Sequence, residues 1–255
     1  MRNDCFVTRG LIYELRDRVA GLTLDRPGDG NRLTMEMAAA LIEACQAAED
    51  SDAVAVVVRG HGRWFCAGLA EGVGPGDLQG RRSPVEALAG VTKPVVAVLE
   101  GPAIGAGAEL TLAADLRIAA ETASLQFPDV SEGRIPCFGA TQRLPRLIGR
   151  ARALEILLFG TQVSPAEAAE LGLVSRVAAP AELEATVDEV IGTLCARAPL
   201  ALALAKEAVV RACDLPLADG MRLEEDLYAL LQTTEDRAEG VRSFLEKRTP
   251  RFRGR

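Results

Sequence analysis

Apolar positions along the chain change period several times, and each change marks an element. LIYEL (11–15) and VAGLTL (19–24) alternate apolar and polar residues across a short charged break, which predicts a strand pair near the N-terminus. RPGDGN then reads as a loop. Thr34 has the chemistry of an N-cap, Glu36 falls in the first turn, and Met37, Leu41, Cys45 and Ala48 follow at helical spacing. AVAVVV (53–58) is a continuous apolar run ending near Gly60, as expected of a strand covered on both faces. The stretch 72–84 is rich in Gly and Pro and predicts a loop.

PVVAVLEG (94–101) repeats the buried-strand pattern. GAGAELTLAADL (105–116) predicts a helix entered through glycines, and LRIAAE (116–121) a third strand. Helical spacing dominates from Thr141 to Leu171, and LGLVSRV gives a short strand. From Ala181 onward the chain is almost wholly helical, with breaks near Pro199 and Pro216 and a stop at Pro250. Strands alternating with helices predict a mainly parallel α/β layer fold. The helical remainder, 181–255, has no strands left to cover, so it reads as a packed subdomain or an oligomer contact beside a core over 1–180.

Composition narrows the chemistry. The chain has 255 residues, 49% hydrophobic and 25% charged, which is ordinary globular usage for one large domain. Lys plus Arg number 29 and Asp plus Glu 36, a net charge of −7 that gives no support for a nucleic-acid or anionic-membrane partner. No apolar run reaches the roughly 18 residues of a membrane span, and MRNDCFVTRG lacks the apolar stretch of a signal peptide. The six cysteines are scattered without a CxxC pair, which points to reduced, mostly buried thiols in a cytoplasmic protein. His61 is the only histidine, so a multi-histidine metal site cannot form and no metal is expected. Its Gly-rich surroundings predict a solvated loop position. Any catalysis falls to carboxylates and backbone amides.

Two glycine turns follow buried strands directly: GRWFCAGLAEG (62–72) and GPAIGAGAEL (101–110). Small residues at such turns let backbone approach a ligand, and if both face one crevice their amides can converge on one oxygen, as in an oxyanion hole. A dinucleotide-binding reading of GAGAEL fits poorly, because Leu110 stands where the third glycine of GxGxxG belongs. Glu109 sits in the first turns of the following helix. By residue type it belongs in solvent; the neighbouring glycine turn favours a functional place instead. FPDVSEG supplies Asp129 and Glu132 as further acids, and two carboxylates can divide acid and base roles when burial separates their pKa values.

With these segments in order, the chain resembles the enoyl-CoA hydratase/isomerase superfamily, the crotonase fold. LDRPGDGNRLTMEM is similar to the family's LNRPxxxNAL segment, GRWFCAGL to its FxAGxD segment, and KPVVAVLEGPAIGAGAELTLAADLRIAAE to its KPVIAxVxGxAxGGGxELAxxCDxxxA stretch. GATQRLPRLIG matches GGTQRLPRxxG, and FLEKRTPRF matches FxEKRxPxF. The resemblance implies a spiral of ββα units with a helical C-terminal trimerisation region, assembled as a homotrimer or dimer of trimers. It implies an acyl-CoA substrate, coenzyme A being part of that substrate and no separate cofactor. Carried over by position, Glu109 and Asp129 are the catalytic carboxylates, and the backbone amides of Leu69 and Ala106 form the oxyanion hole. Arg26, Ala67, Gly68, Gly105 and Lys247 fall in the substrate-binding segments, Lys247 reaching a CoA phosphate of a neighbouring subunit. Glu132 is a secondary candidate acid.

Four departures qualify the carry-over. Asp129 stands where hydratases carry glutamate, so its carboxylate retreats by about 1.5 Å unless the backbone compensates. Leu69-Ala70-Glu71 lacks the family's aspartate, Ala106 replaces the middle glycine of GGG, and Cys137 occupies the place of an acid used by some isomerases. The resulting expectation is hydration of a 2-enoyl-CoA to a 3-hydroxyacyl-CoA. Isomerisation, decarboxylation or thioester hydrolysis on the same fold stand as alternatives, ahead of a catalytically weak CoA- or RNA-binding relative.

Overall fold

The structure, a computed structural model, describes residues 5–80 and 83–255. The loop expected over 72–84 therefore includes two residues, Arg81 and Arg82, outside the described ones, as are the first four of the 1–180 core.

Strands β1 (Cys5–Thr8), β2 (Leu11–Arg16) and β3 (Val19–Leu24) form an antiparallel meander. The expected pair is β2 and β3; β1 adds an edge whose short, half-exposed pattern carried little sequence signal. Parallel strands β4 (Ala55–Gly60), β5 (Val95–Leu99), β7 (Leu116–Ala120) and β10 (Arg176–Ala178) extend the sheet in that order to seven strands. A second, three-stranded sheet holds β6 (Pro102–Ile104), β8 (Ser124–Gln126) and β9 (Gln162–Val163). These short strands were not legible in the sequence, because two or three residues show no period.

The repeat is a ββα turn, the unit of the expected spiral. β5, β6 and helix α3 (Ala106–Leu112) make one turn; β7, β8 and α4 (Ala140–Ile148) make the next. β4, a single bridge from Cys66 to Ala103, and α2 (Pro84–Ala89) make the turn before. Each turn thus gives one strand to the large sheet and one pairing to the small one. α1 (Met35–Asp50) packs under the meander, with Thr34 accepting from the Met37 amide at 3.1 Å as its N-cap. Stacking is tight where the turns meet: a Cβ on Gly107 would lie 2.2 Å from the Cys66 carbonyl oxygen.

The helical stretch expected from Thr141 divides at Gly149 and Gly160 into α4, α5 (Arg150–Phe159), β9 and α6 (Pro165–Glu170). The C-terminal part is α7 (Leu183–Cys195), α8 (Pro199–Arg211), α9 (Leu217–Gln232) and α10 (Glu235–Leu245). The breaks expected near Pro199 and Pro216 are present, Pro199 opening α8 and Pro216 preceding α9, while α10 stops at Leu245, before Pro250. α7 covers Val57, Val96, Val98 and Ile118 on one sheet face. α8 is tied to the core by Lys206, whose Nζ donates to Asp115 Oδ2 at 2.7 Å and to the Lys93 carbonyl at 3.0 Å. The basic tail folds back: buried Asp236 accepts from the Arg253 and Gly254 amides at 2.6 and 2.8 Å. Among the described residues no helix is long and apolar enough to cross a membrane.

Candidate functional site

A cavity of about 300 Å³ lies where the glycine turns meet, and Glu109, Asp129, Leu69 and Ala106 all line it. The first turn leaves β4 and is laid against residues 30–33. The buried Asn31 donates Nδ2 to the carbonyls of His61 and Trp64, at 3.0 and 2.7 Å. Leu33 donates to Gly68 O at 2.9 Å and accepts from the Ala70 amide at 3.0 Å. Between those two contacts the Leu69 amide has no backbone acceptor among the described residues. Gly68, at φ +101°, supplies a backbone shape that a side chain would oppose.

The second turn is fixed on the opposite wall. Ile104 N donates to Cys66 O and Gly105 N to Gln126 O, both at 2.9 Å. Gly105 at φ 54° and ψ −121° then turns the chain into α3, which leaves the Ala106 amide without a backbone acceptor among the described residues. Two backbone donors without an acceptor among the described residues thus border one cavity, and buried amides are normally paired. Such donors can receive a developing negative charge on a ligand oxygen.

Glu109 is 1% exposed, against the expectation from residue type alone. Its Oε2 accepts from the Phe138 and Ala140 amides at 2.9 and 2.8 Å, and Oε1 faces the Cys137 amide at 3.4 Å. Burial pushes its pKa up to about 7, opposed by those amides and assisted by the charge of Asp129. Asp129 opens a short 3-10 turn after Pro128 and is 8% exposed. Its Oδ2 is buried without a hydrogen-bond partner among the described residues, and Oδ1 lies 3.9 Å from Arg134 Nε. Burial raises its pKa too, while Arg134 draws it down. The cavity therefore holds two carboxyls that both resist ionisation, one of them tied by amides and one with an oxygen left open.

The remaining candidates divide. Ala67, Gly68 and Gly105 line the cavity. Glu132 also lines it but is exposed and ion-paired with Arg134. Arg26 does not reach the cavity lining; it pairs with Asp29 at 2.5 Å. Lys247 is exposed just beyond α10 and lies outside that lining as well. His61 is exposed as expected, its Nδ1 2.6 Å from Asp25 Oδ1. Cys137 lines the cavity beside Glu109, where burial pushes its thiol up to about 11. Cys5 and Cys213 are exposed, so the thiols are less uniformly buried than composition suggested. Sequence reasoning missed Arg32, Arg134 and Phe138 in the lining. Arg32 had a visible signal, standing where the NAL segment carries alanine.

Spiral, cavity and carboxyl pair together define a crotonase-fold protein. The family model described as enoyl-CoA hydratase/isomerase matches residues 14–255, and the chain belongs to that family. It is 37% identical to the 2,3-dehydroadipyl-CoA hydratase of Escherichia coli (strain K12), over 96% of this chain and 99% of that one. It is 36% identical to the enoyl-CoA isomerase/hydratase fer4 of Mycosarcoma maydis, over 92% of each. The crystal structure of the Bacillus anthracis enoyl-CoA hydratase superposes with a TM-score of 0.92 at 33% identity, covering 97% of this chain and all, 100%, of that one.

Proposed function

We propose that the protein adds water across the double bond of a 2-enoyl-CoA. The observation that carries this reading is the carboxyl pair: Glu109, buried and with its pKa pushed up to about 7, and Asp129 with an open oxygen, in one cavity. The thioester carbonyl accepts hydrogen bonds from the Leu69 and Ala106 amides. Water oxygen bonds to C3, the π electrons move through C2 toward the thioester oxygen, and the enolate forms against the two donors. One ionised carboxyl takes a proton from the water and the protonated one gives its proton to C2. The pair ends with the same number of protons, so it needs no cofactor beyond the coenzyme A of the substrate.

The identity of the relatives supports the class, and names among them include both hydratase and isomerase activities. Turnover of crotonyl-CoA, followed by loss of the conjugated thioester absorbance, tests the reading beside a panel of branched and aromatic enoyl-CoAs. The expected product is the 3-hydroxyacyl-CoA. A shifted double bond with no water added would favour isomerisation, which one acid can perform.

The assembly inferred is a trimer or dimer of trimers. Its support is the apolar surface that the C-terminal helices leave uncovered: Leu217 is 82% exposed, Phe244 81% and Val209 71%. Light scattering should return a multiple of three chains; a monomer at micromolar concentration would sink this inference and leave Lys247 no neighbour to serve.

A further inference from the structure

The turn that presents the Leu69 amide has a side-chain clamp as well as its backbone contacts. Arg32 Nη1 donates to the Ala67 carbonyl at 2.8 Å and to the Leu69 carbonyl at 3.2 Å. Those carbonyls belong to the peptides on either side of the one that carries the Leu69 N–H. The middle peptide is held by Leu33 N on Gly68 O, at 2.9 Å. Three neighbouring peptide planes are therefore fixed by the consecutive residues Arg32 and Leu33. The need for such a clamp is local: Gly68 at φ +101° lacks a side chain to restrict it, so its orientation depends on its partners. Arg32 lines the cavity and has no ion-pair partner among the described residues, so its guanidinium is not committed to a neighbouring acid.

We propose that Arg32 is a positioning residue for the reaction, aiming the Leu69 N–H at the thioester oxygen by clamping the carbonyls of Ala67 and Leu69. The inference rests on the oxyanion-hole reading above. A guanidinium suits the task because its planar, fixed donors lose little freedom on binding carbonyl groups. Preorganised donors act only if they are aimed before the charge develops, and a misplacement of about 1 Å can cost on the order of 10² in rate.

A conjugated thioester with an electron-rich ring, 4-(dimethylamino)cinnamoyl-CoA, absorbs at longer wavelength when its carbonyl oxygen receives hydrogen bonds. Its bound spectrum therefore reads donor alignment without requiring turnover. Arg32→Ala should lose about half or more of the red shift seen with the wild type. It should also lower kcat on crotonyl-CoA about tenfold, with KM changed by less than about threefold. Arg32→Lys, which can still reach one carbonyl, should fall between the two in both readouts. Arg32 is an exposed residue, so both variants should fold, and titrating binding sites with the chromophore normalises each rate to folded protein.

A full red shift in Arg32→Ala, with any loss confined to KM, overturns the role and makes Arg32 a contact for the charged part of CoA. An unchanged kcat per binding site overturns it as well. If the wild type binds the chromophore with no red shift, the oxyanion-hole reading fails and takes the Arg32 role with it; if the acyl pocket excludes the bulky ring, the split between kcat and KM for Arg32→Ala on crotonyl-CoA decides the clamp. If the wild type shows the shift but hydrates nothing, hydration alone fails, and the Arg32→Ala spectrum still decides the clamp.

Discussion

The spiral turns and the C-terminal helices are both rich in apolar residues, yet they end in opposite states. All seven residues of α3 are buried, Glu109 included. α8 and α9 contain no buried residue at all, although both have apolar spacing that reads as amphipathic. In the first region backbone meets backbone, and the chemistry lies in donors and carboxyls fixed by neighbours. In the second, most of α8 is half-buried and most of α9 exposed, so that Val209, Val210, Leu217, Met221 and Leu230 face solvent in the single chain. The difference teaches that Glu109, Asp129 and both glycine turns already line one cavity within a single chain, while the C-terminal helices leave large apolar side chains exposed on it.

Charge removal at the site should produce the largest effect. Glu109→Gln and Asp129→Asn should each lower hydration on the order of 10²–10⁴-fold while saturated acyl-CoA binding survives, checked by steady-state rates and calorimetry. If Asp129→Asn leaves turnover intact while Glu109→Gln abolishes it, single-acid chemistry replaces the two-carboxyl account. Asp129→Glu sharpens this: a rise in rate would show that the short side chain sits too far back, and a fall that the pocket is shaped around aspartate. Next comes Ala106→Pro, which deletes one backbone donor at the first position of α3, where proline is tolerated. Turnover should drop on the order of 10²–10³-fold with the fold retained by circular dichroism; near-normal activity would refute the donor.

The pH dependence of stability should be smaller but clear. The Glu109 carboxyl is raised from 4.5 to about 7, so between those pH values the folded chain keeps a proton that the unfolded chain has lost. Its contribution is undiminished below pH 4.5 and declines as pH rises, leaving the protein about 3 kcal/mol less stable above pH 7. Glu109→Gln has no charge to bury. Relative to wild type its stability should climb by about that amount between pH 4.5 and 8, read from urea midpoints. A constant difference would mean that Glu109 titrates as an ordinary glutamate.

The same substitution made in both regions should give the smallest effects, and of opposite sign. Gly107→Ala puts a Cβ 2.2 Å from the Cys66 carbonyl oxygen, so backbone must move and stability should fall by about 1–3 kcal/mol, with activity following. Gly192→Ala in α7 meets nothing within 4 Å and should stabilise the chain by about 0.5–1 kcal/mol. A loss at Gly192 instead, growing with protein concentration, would show that another copy covers that helix.

The long apolar strands β4 and β5, the Thr34 cap and the entry of α3 were legible because each has a period or a punctuating residue. β1, β6, β8 and β9 were not, since their length carries no period and their pairing is decided by distant segments. The burial of Glu109 could not be read from AELTLAA alone. It is produced by the Cys137–Ala140 backbone, some thirty positions away, which supplies amides to its carboxyl. Arg134 escaped for a different, local reason: the turn after Asp129 folds the chain back, with the Arg134 amide donating to the Asp129 carbonyl at 2.8 Å, and a loop without a period gives no sign of that return.

The claim that two buried carboxyls work with one proton between them is tested most directly by kcat/KM for crotonyl-CoA across pH. With Asp129 ionised and Glu109 protonated as the working state, the rate should form a bell whose alkaline limb falls near pH 7, as the pair loses its proton. A rate that keeps rising through pH 9 would contradict it, because the doubly ionised pair would then be the active form.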